Sequence, residues 1–307
     1  PEMRKGNVGL CVATQIARYT KQKNPLPGWH SPAQAWAQSQ GQLSWYNEVE
    51  RQGELTQICN LEQLESHLEK WSKGQNKQLP IGYVLSLEGA DSIITLQHLE
   101  SAYEKGLRAI GPAHYGPGTY APGTGESGPL GNGATELLRE MERLNIILDV
   151  THLSDTSLDQ ALDTFSGTVW ASHCNCRTLV PGERQLNDHQ LKRLIERGGV
   201  IGAALDAWML IPDWQRGLTT PQSSGVKLSN VVDHIDYVCQ LAGNSKHACI
   251  GTDLDGGFGL EQSPGDMESI ADLQKLPSIL GKRGYSTDDI NNVMGLNAID
   301  ILRSAWK

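Results

Sequence analysis

At 307 residues, with 38% hydrophobic and 20% charged side chains, the chain can bury a sizeable core and is too apolar to stay disordered. Its net charge of −9 argues against a nucleic-acid partner, because phosphate recognition needs a basic surface. No apolar run reaches the roughly 20 residues that cross a bilayer, so no transmembrane segment is expected.

The first residue is Pro1, and no basic-plus-apolar leader follows it. The expectation is a fragment or processed product that is cytoplasmic, or periplasmic or secreted if a signal precedes Pro1. Seven short apolar runs read as strands, at 8–14, 81–87, 107–113, 146–151, 169–172, 200–205 and 248–252. Most are nearly continuous rather than alternating, which suits parallel strands covered on both faces. Helical patterns stand between them, at 96–105, 134–144, 158–165, 187–196, 228–241 and 270–280, with two more at 287–294 and 296–306. The wide gap from 14 to 81 holds helical stretches at 32–39 and 61–73 and no convincing strand.

This alternation predicts βα units with right-handed crossovers, and so a TIM-type (β/α)8 barrel as a single domain over 1–307. Seven strands are one short of closure, and the missing first strand is expected before Pro1. The Gly- and Pro-rich stretch 115–133 and the stretch 212–227 read as long functional loops on the catalytic face.

Six cysteines are too sparse for a disulfide scaffold. Cys11, Cys239 and Cys249 sit in apolar runs and read as core thiols. The run His173-Cys174-Asn175-Cys176 suggests a zinc site, but its gap is shorter than that of paired cysteine ligands and no second pair follows.

A β/α barrel builds its site at the C-terminal ends of its strands. Those ends here carry Glu88, His114, Asp149 with His152, His173, and Asp253 with Asp255. Two histidines and a glutamate suit zinc, which takes imidazole nitrogen and carboxylate oxygen, and Glu88 has two oxygens with which to bridge two metals. Asp253 is placed to take a proton from water and return it to a leaving amine. A single histidine at a strand end is more often a hydrogen-bonded structural residue; the set as a whole fits that reading poorly. Asp149 is given no role. Asp253-Leu254-Asp255-Gly256 resembles the start of a calcium loop but lacks its later ligands. Arg177 and Arg184 are each able to clamp a carboxylate or to lie solvated. Trp208 and Trp214 either line a pocket or pack.

Five segments in order resemble the membrane dipeptidase (renal dipeptidase) family of amidohydrolase-like barrels. They are Leu87-Glu88-Gly89-Ala90-Asp91-Ser92, Asp149-Val150-Thr151-His152-Leu153-Ser154, Ala171-Ser172-His173, Gly182-Glu183-Arg184-Gln185-Leu186-Asn187-Asp188 and Gly251-Thr252-Asp253-Leu254-Asp255-Gly256. The resemblance implies a zinc dipeptidase with two metals (Zn2+), a dipeptide substrate that can carry a C-terminal D-residue, and a homodimer. It implies Glu88 as the bridging ligand, with His152 and His173 as ligands of the second zinc. Asp253 is implied as the catalytic aspartate. His114 is implied to contact substrate and steady the tetrahedral intermediate, and Arg184 to hold the substrate carboxylate. The family's first-strand His-x-Asp pair does not occur on the first strand read here, 8–14. Asp91 replaces a histidine seen in some members, and Cys174-Asn175-Cys176 departs from the usual residues after the metal-binding histidine. Two alternatives stay open. One is a catalytically silent barrel that binds a ligand or partner; the other is a metal hydrolase of other amides, such as lactams or acyl amino acids.

Overall fold

A computed structural model describes residues 1–20, 28–74, 79–254 and 256–307. The chain divides into two compact units, one of Val8–Thr168 with Ser304–Lys307 and the other of Pro1–Asn7 with Val169–Arg303.

In the first unit the strands are β1 (Leu10–Gln15), β2 (Leu55–Gln57), β3 (Ile81–Glu88), β4 (Leu107–Gly111) and β5 (Ile147–Asp149). All the pairings are parallel. β3 is central, and every residue of it except Glu88 is buried. That follows from its nearly continuous apolar run, which both faces of a parallel sheet can cover. β1 runs along β3 from Leu10 opposite Gly82 to Gln15 opposite Leu87. β2 pairs with the start of β3 and β4 with its end.

β2 lies in the gap where the sequence shows no strand. Leu55-Thr56-Gln57 has one apolar residue and no alternation to read. Its extension comes from tertiary pairing with β3, continued by the Ile58 amide bonding the Tyr83 carbonyl at 2.8 Å.

The helices of this unit include Pro32–Arg51, Leu61–Ser72, Leu96–Glu104, Ala134–Arg143 and Asp155–Thr164. Pro32–Arg51 is much longer than the apolar stretch that signals it, because only Ala35, Ser39 and Leu43 are buried. Its start is well specified: Ser31 accepts the Gln34 amide and Pro32 takes the first helical position. Ala134–Arg143 shows the opposite case, burying Leu137, Leu138 and Met141 on one apolar stripe.

In the second unit β6 (Val169–Ala171), β7 (Val200–Ala203) and β8 (Ala248–Ile250) pair in parallel in that order. The helix Asp188–Glu196 opens on a capping box between Asn187 and Gln190. Helix Leu228–Ala242 closes on Gly243 in the left-handed region. The ladders run past the formal strand ends: the Gly251 amide bonds Ala203 O at 3.1 Å, and the Leu205 amide bonds Thr252 O at 3.0 Å. Asp206 and Asp253 directly follow the bonded pair Leu205 and Thr252. Among the described residues no helix is long and apolar enough to cross a membrane.

Candidate active site

The strand ends of the first unit gather Glu88, His114 and His152. Glu88 Oε1 lies 3.1 Å from His152 Nε2 and 3.8 Å from His114 Nε2. The two imidazole rings are 4.6 Å apart, and Tyr115 stands 5.0 Å from each. His152 is buried, and its Nδ1 meets the Thr124 hydroxyl at 2.9 Å. That contact fixes the ring and turns Nε2 toward the carboxylate. A ligating histidine is commonly oriented through its second nitrogen in this way.

Thr124 reaches His152 because the loop after β4 folds back on itself. The Thr124 amide bonds His114 O at 2.9 Å, and Gly116 bonds Thr124 O at 2.8 Å. Gly123 is required at this approach, since a Cβ there would lie 1.7 Å from His114 O. The 115–133 loop thus brings Thr124 onto both His114 and His152.

The second unit gathers His173, Arg184 and Asp253. His173 Nε2 faces Asp253 Oδ1 at 3.9 Å, and His173 Nδ1 meets the Ser172 hydroxyl at 2.8 Å. The pattern of the first unit recurs: a hydroxyl on Nδ1 and a carboxylate before Nε2. Arg184 is buried; its Nη2 donates to His173 O at 3.0 Å and its Nη1 contacts Cys174 Sγ at 3.2 Å. Arg184 therefore braces the backbone of His173 as well as standing beside it. Arg177 instead donates to Gln185 O at 2.9 Å.

His152 and Asp253 share a backbone signature. Both adopt positive φ, +70° and +56°. For side chains other than glycine this costs on the order of 1–3 kcal/mol and persists where the surroundings enforce it, often at functional sites.

The cysteines after His173 serve the scaffold. Cys176 Sγ faces His234 O at 3.6 Å, and burial pushes its thiol well above the ordinary range. Cys239 and Cys249 are buried as expected, while Cys11 is half-buried. Asp149 is buried and accepts the Thr151 amide at 3.1 Å, a local turn contact. Asp255 lies outside the described residues.

Three residues escaped the sequence reading. Thr124 carried no signal, because its role depends on how the loop returns. Ser172 stood next to His173 in view. Asp206 directly follows the apolar run 200–205 and was a strand-end residue by the same rule as the others. It is buried, accepts Trp208 Nε1 at 2.6 Å and Gln262 Nε2 at 2.8 Å, and burial pushes its carboxyl up to about 6.

The model of the membrane dipeptidases, peptidase family M19, matches residues 1–307. The chain belongs to this family. Among curated relatives, Dipeptidase tcpJ of Claviceps purpurea is 30% identical over 233 residues, covering 72% of this chain and 51% of that protein. An uncharacterized protein in the pqqA 5' region of Klebsiella pneumoniae is 28% identical over 217 residues, covering 68% and 76%. The chain thus spans about half the length of the first of these relatives.

Two solved structures carry the fold. The dipeptidase AC, of the same M19 family, superposes with a TM-score of 0.85 at 21% identity, covering 100% of this chain and 88% of that one. A metallopeptidase from Rhodobacter sphaeroides, liganded with a phosphinate mimic of the dipeptide L-Ala-D-Ala, gives 0.81 at 20% identity, covering 100% and 89%. At such identities the likeness establishes the fold, an α/β fold of the TIM-barrel type, in line with the alternation of the sequence.

Proposed function

We propose that this membrane-dipeptidase family member is a zinc-dependent dipeptidase, with Glu88, His152 and His173 as metal ligands. One observation carries the reading: His152 is held by Thr124 at Nδ1 so that Nε2 faces the Glu88 carboxylate at 3.1 Å. Ser172 holds His173 in the same way. This donor set, two oriented imidazole Nε2 atoms and a carboxylate, fits zinc.

When bound, zinc supplies Lewis-acid polarisation of a carbonyl and lowers the pKa of water toward neutrality. The protein's residues do the rest. Asp253 takes a proton from the attacking water and hands it to the departing amine. His114, close to Glu88, donates to the oxygen on which negative charge develops. Arg184, buried beside His173 and Cys174, holds the substrate's C-terminal carboxylate through its guanidinium. The complement of two zinc ions, acceptance of C-terminal D-residues, a single catalytic domain over 1–307 and a homodimer belong to the same proposal.

The test is a panel of L,L and L,D dipeptides given to the zinc-loaded protein, with metal content measured in parallel. Turnover of dipeptides, with little on their C-terminal amides, is the expected result. Bound zinc without turnover of any dipeptide would sink the peptidase reading. Glu88→Gln should lower the zinc content, and an unchanged content would remove Glu88 from the ligand set.

A further inference from the structure

A second cationic group stands in the same unit as Asp253, on the loop that follows β7. The parallel ladder joins Leu205 to Thr252, so Asp206 and Asp253 are the next residues on neighbouring strand ends. Asp206 is 5% exposed and is held from both sides by the Trp208 indole and the Gln262 amide. Above it, Arg216 lays its guanidinium over the Trp208 ring with Cζ 4.6 Å from the centroid. Arg216 Nη2 lies 3.9 Å from Asp206 Oδ2, near enough for attraction and too far for a hydrogen bond.

Three features of Arg216 matter together. Stacking on Trp208 and the pull of Asp206 orient the guanidinium, so part of its rotamer entropy is already lost. It makes no hydrogen bond to any described residue, and its side chain is 57% exposed, so its guanidinium is accessible to a ligand. Its anchor Asp206 lies close enough to Asp253 to feel that carboxylate's charge. An oriented guanidinium with open donors matches the two oxygens of a carboxylate.

We propose that Arg216, stacked on Trp208 and anchored by Asp206, is a specificity-determining residue that favours dipeptides bearing an acidic side chain. Arg184 then serves the main-chain carboxylate and Arg216 the side-chain one. This inference rests on the dipeptidase reading for its substrate class, and its test separates the two.

Calorimetric titration of the zinc-loaded Asp253→Asn protein measures binding without turnover. The probes are Glu-Ala and Ala-Glu, each against its neutral isostere Gln-Ala or Ala-Gln. In the Arg216 protein at least one acidic dipeptide should bind roughly tenfold more tightly than its isostere, the scale of a hydrogen bond to a charged group. The ratio should fall to about one in Arg216→Ala and invert in Arg216→Glu. Arg216→Gln, which keeps the bulk over Trp208, serves if the alanine variant misfolds. A ratio near one with Arg216 present, a ratio unchanged by its removal, or no binding of any dipeptide overturns the proposal. Turnover of neutral dipeptides by the protein with Asp253 intact reports on the dipeptidase reading alone.

Discussion

Glu88 Oε1 stands 3.1 Å from His152 Nε2, and the other nitrogen of that ring meets the Thr124 hydroxyl at 2.9 Å. The ring is held between an oxygen that orients it and an oxygen beside which a cation can sit. Thr124 is the lever of this arrangement because nothing else about it is chemical. Thr124→Val keeps the shape and removes the hydroxyl, so zinc affinity should fall roughly 10- to 100-fold, as for other partners of ligating histidines. Competition with a chelator measures it. An unchanged affinity in a folded variant would show that Thr124 does not orient the ring.

Arg184 supports His173 O and is proposed to clamp the substrate carboxylate, and the two roles can be separated. As a carboxylate clamp it should raise KM at least about tenfold when changed to lysine, which lacks the forked donor geometry. Amidating the dipeptide's C-terminus should then cost the parent protein much and Arg184→Lys little, because the contact is already lost. Equal penalties in both proteins would leave Arg184 only the support of His173 O.

His234 makes the fold sensitive to acid. Its Nδ1 takes the Cys176 amide at 3.1 Å, which requires an unprotonated nitrogen there, and its Nε2 faces Leu210 O at 3.3 Å. Burial pushes its pKa down to about 4, against smaller upward pulls from Leu210 O and Asp233. The folded value lies below the unfolded one, so the stabilisation is complete above about pH 6.5 and is lost as pH falls toward 4. The loss is up to about 3 kcal/mol. Urea midpoints between pH 7 and 4 should show this slope, and His234→Gln should flatten it. A parallel slope in the variant would place the acid sensitivity elsewhere.

Two glycines should respond in opposite directions. A Cβ on Gly251 would lie 2.0 Å from Ser172 O, at the point where β8 leads into Asp253. Gly251→Ala should lower the melting temperature steeply and disturb Ser172 and His173 with it. Gly41, within helix Pro32–Arg51, has nothing within 4 Å of its added Cβ. Gly41→Ala should stabilise by roughly 0.5–1 kcal/mol, since alanine loses less backbone freedom on forming a helix. Thermal melts of the two variants decide both points.

Much of this molecule is legible without coordinates. The nearly continuous apolar runs of β3, β4 and β7 declare buried parallel strands because a sheet covered on both faces tolerates them. Once the strands are placed, their C-terminal ends nominate Glu88, His114, His152, His173 and Asp253, since that is where such a fold exposes side chains to one another. Asp206 was open to the same rule.

Tertiary structure alone decided the rest. β2 is a strand only because β3 offers it a partner, and three residues with one leucine cannot announce that. Thr124 meets His152 across 28 positions of chain because a glycine-bearing loop turns back over His114. Arg216 comes to rest on Trp208, a contact that no periodicity encodes. Residue type and spacing determine which groups are available and which strand ends carry them. The long-range folding of a loop determines that a hydroxyl holds Nδ1 of His152 while its Nε2 faces Glu88.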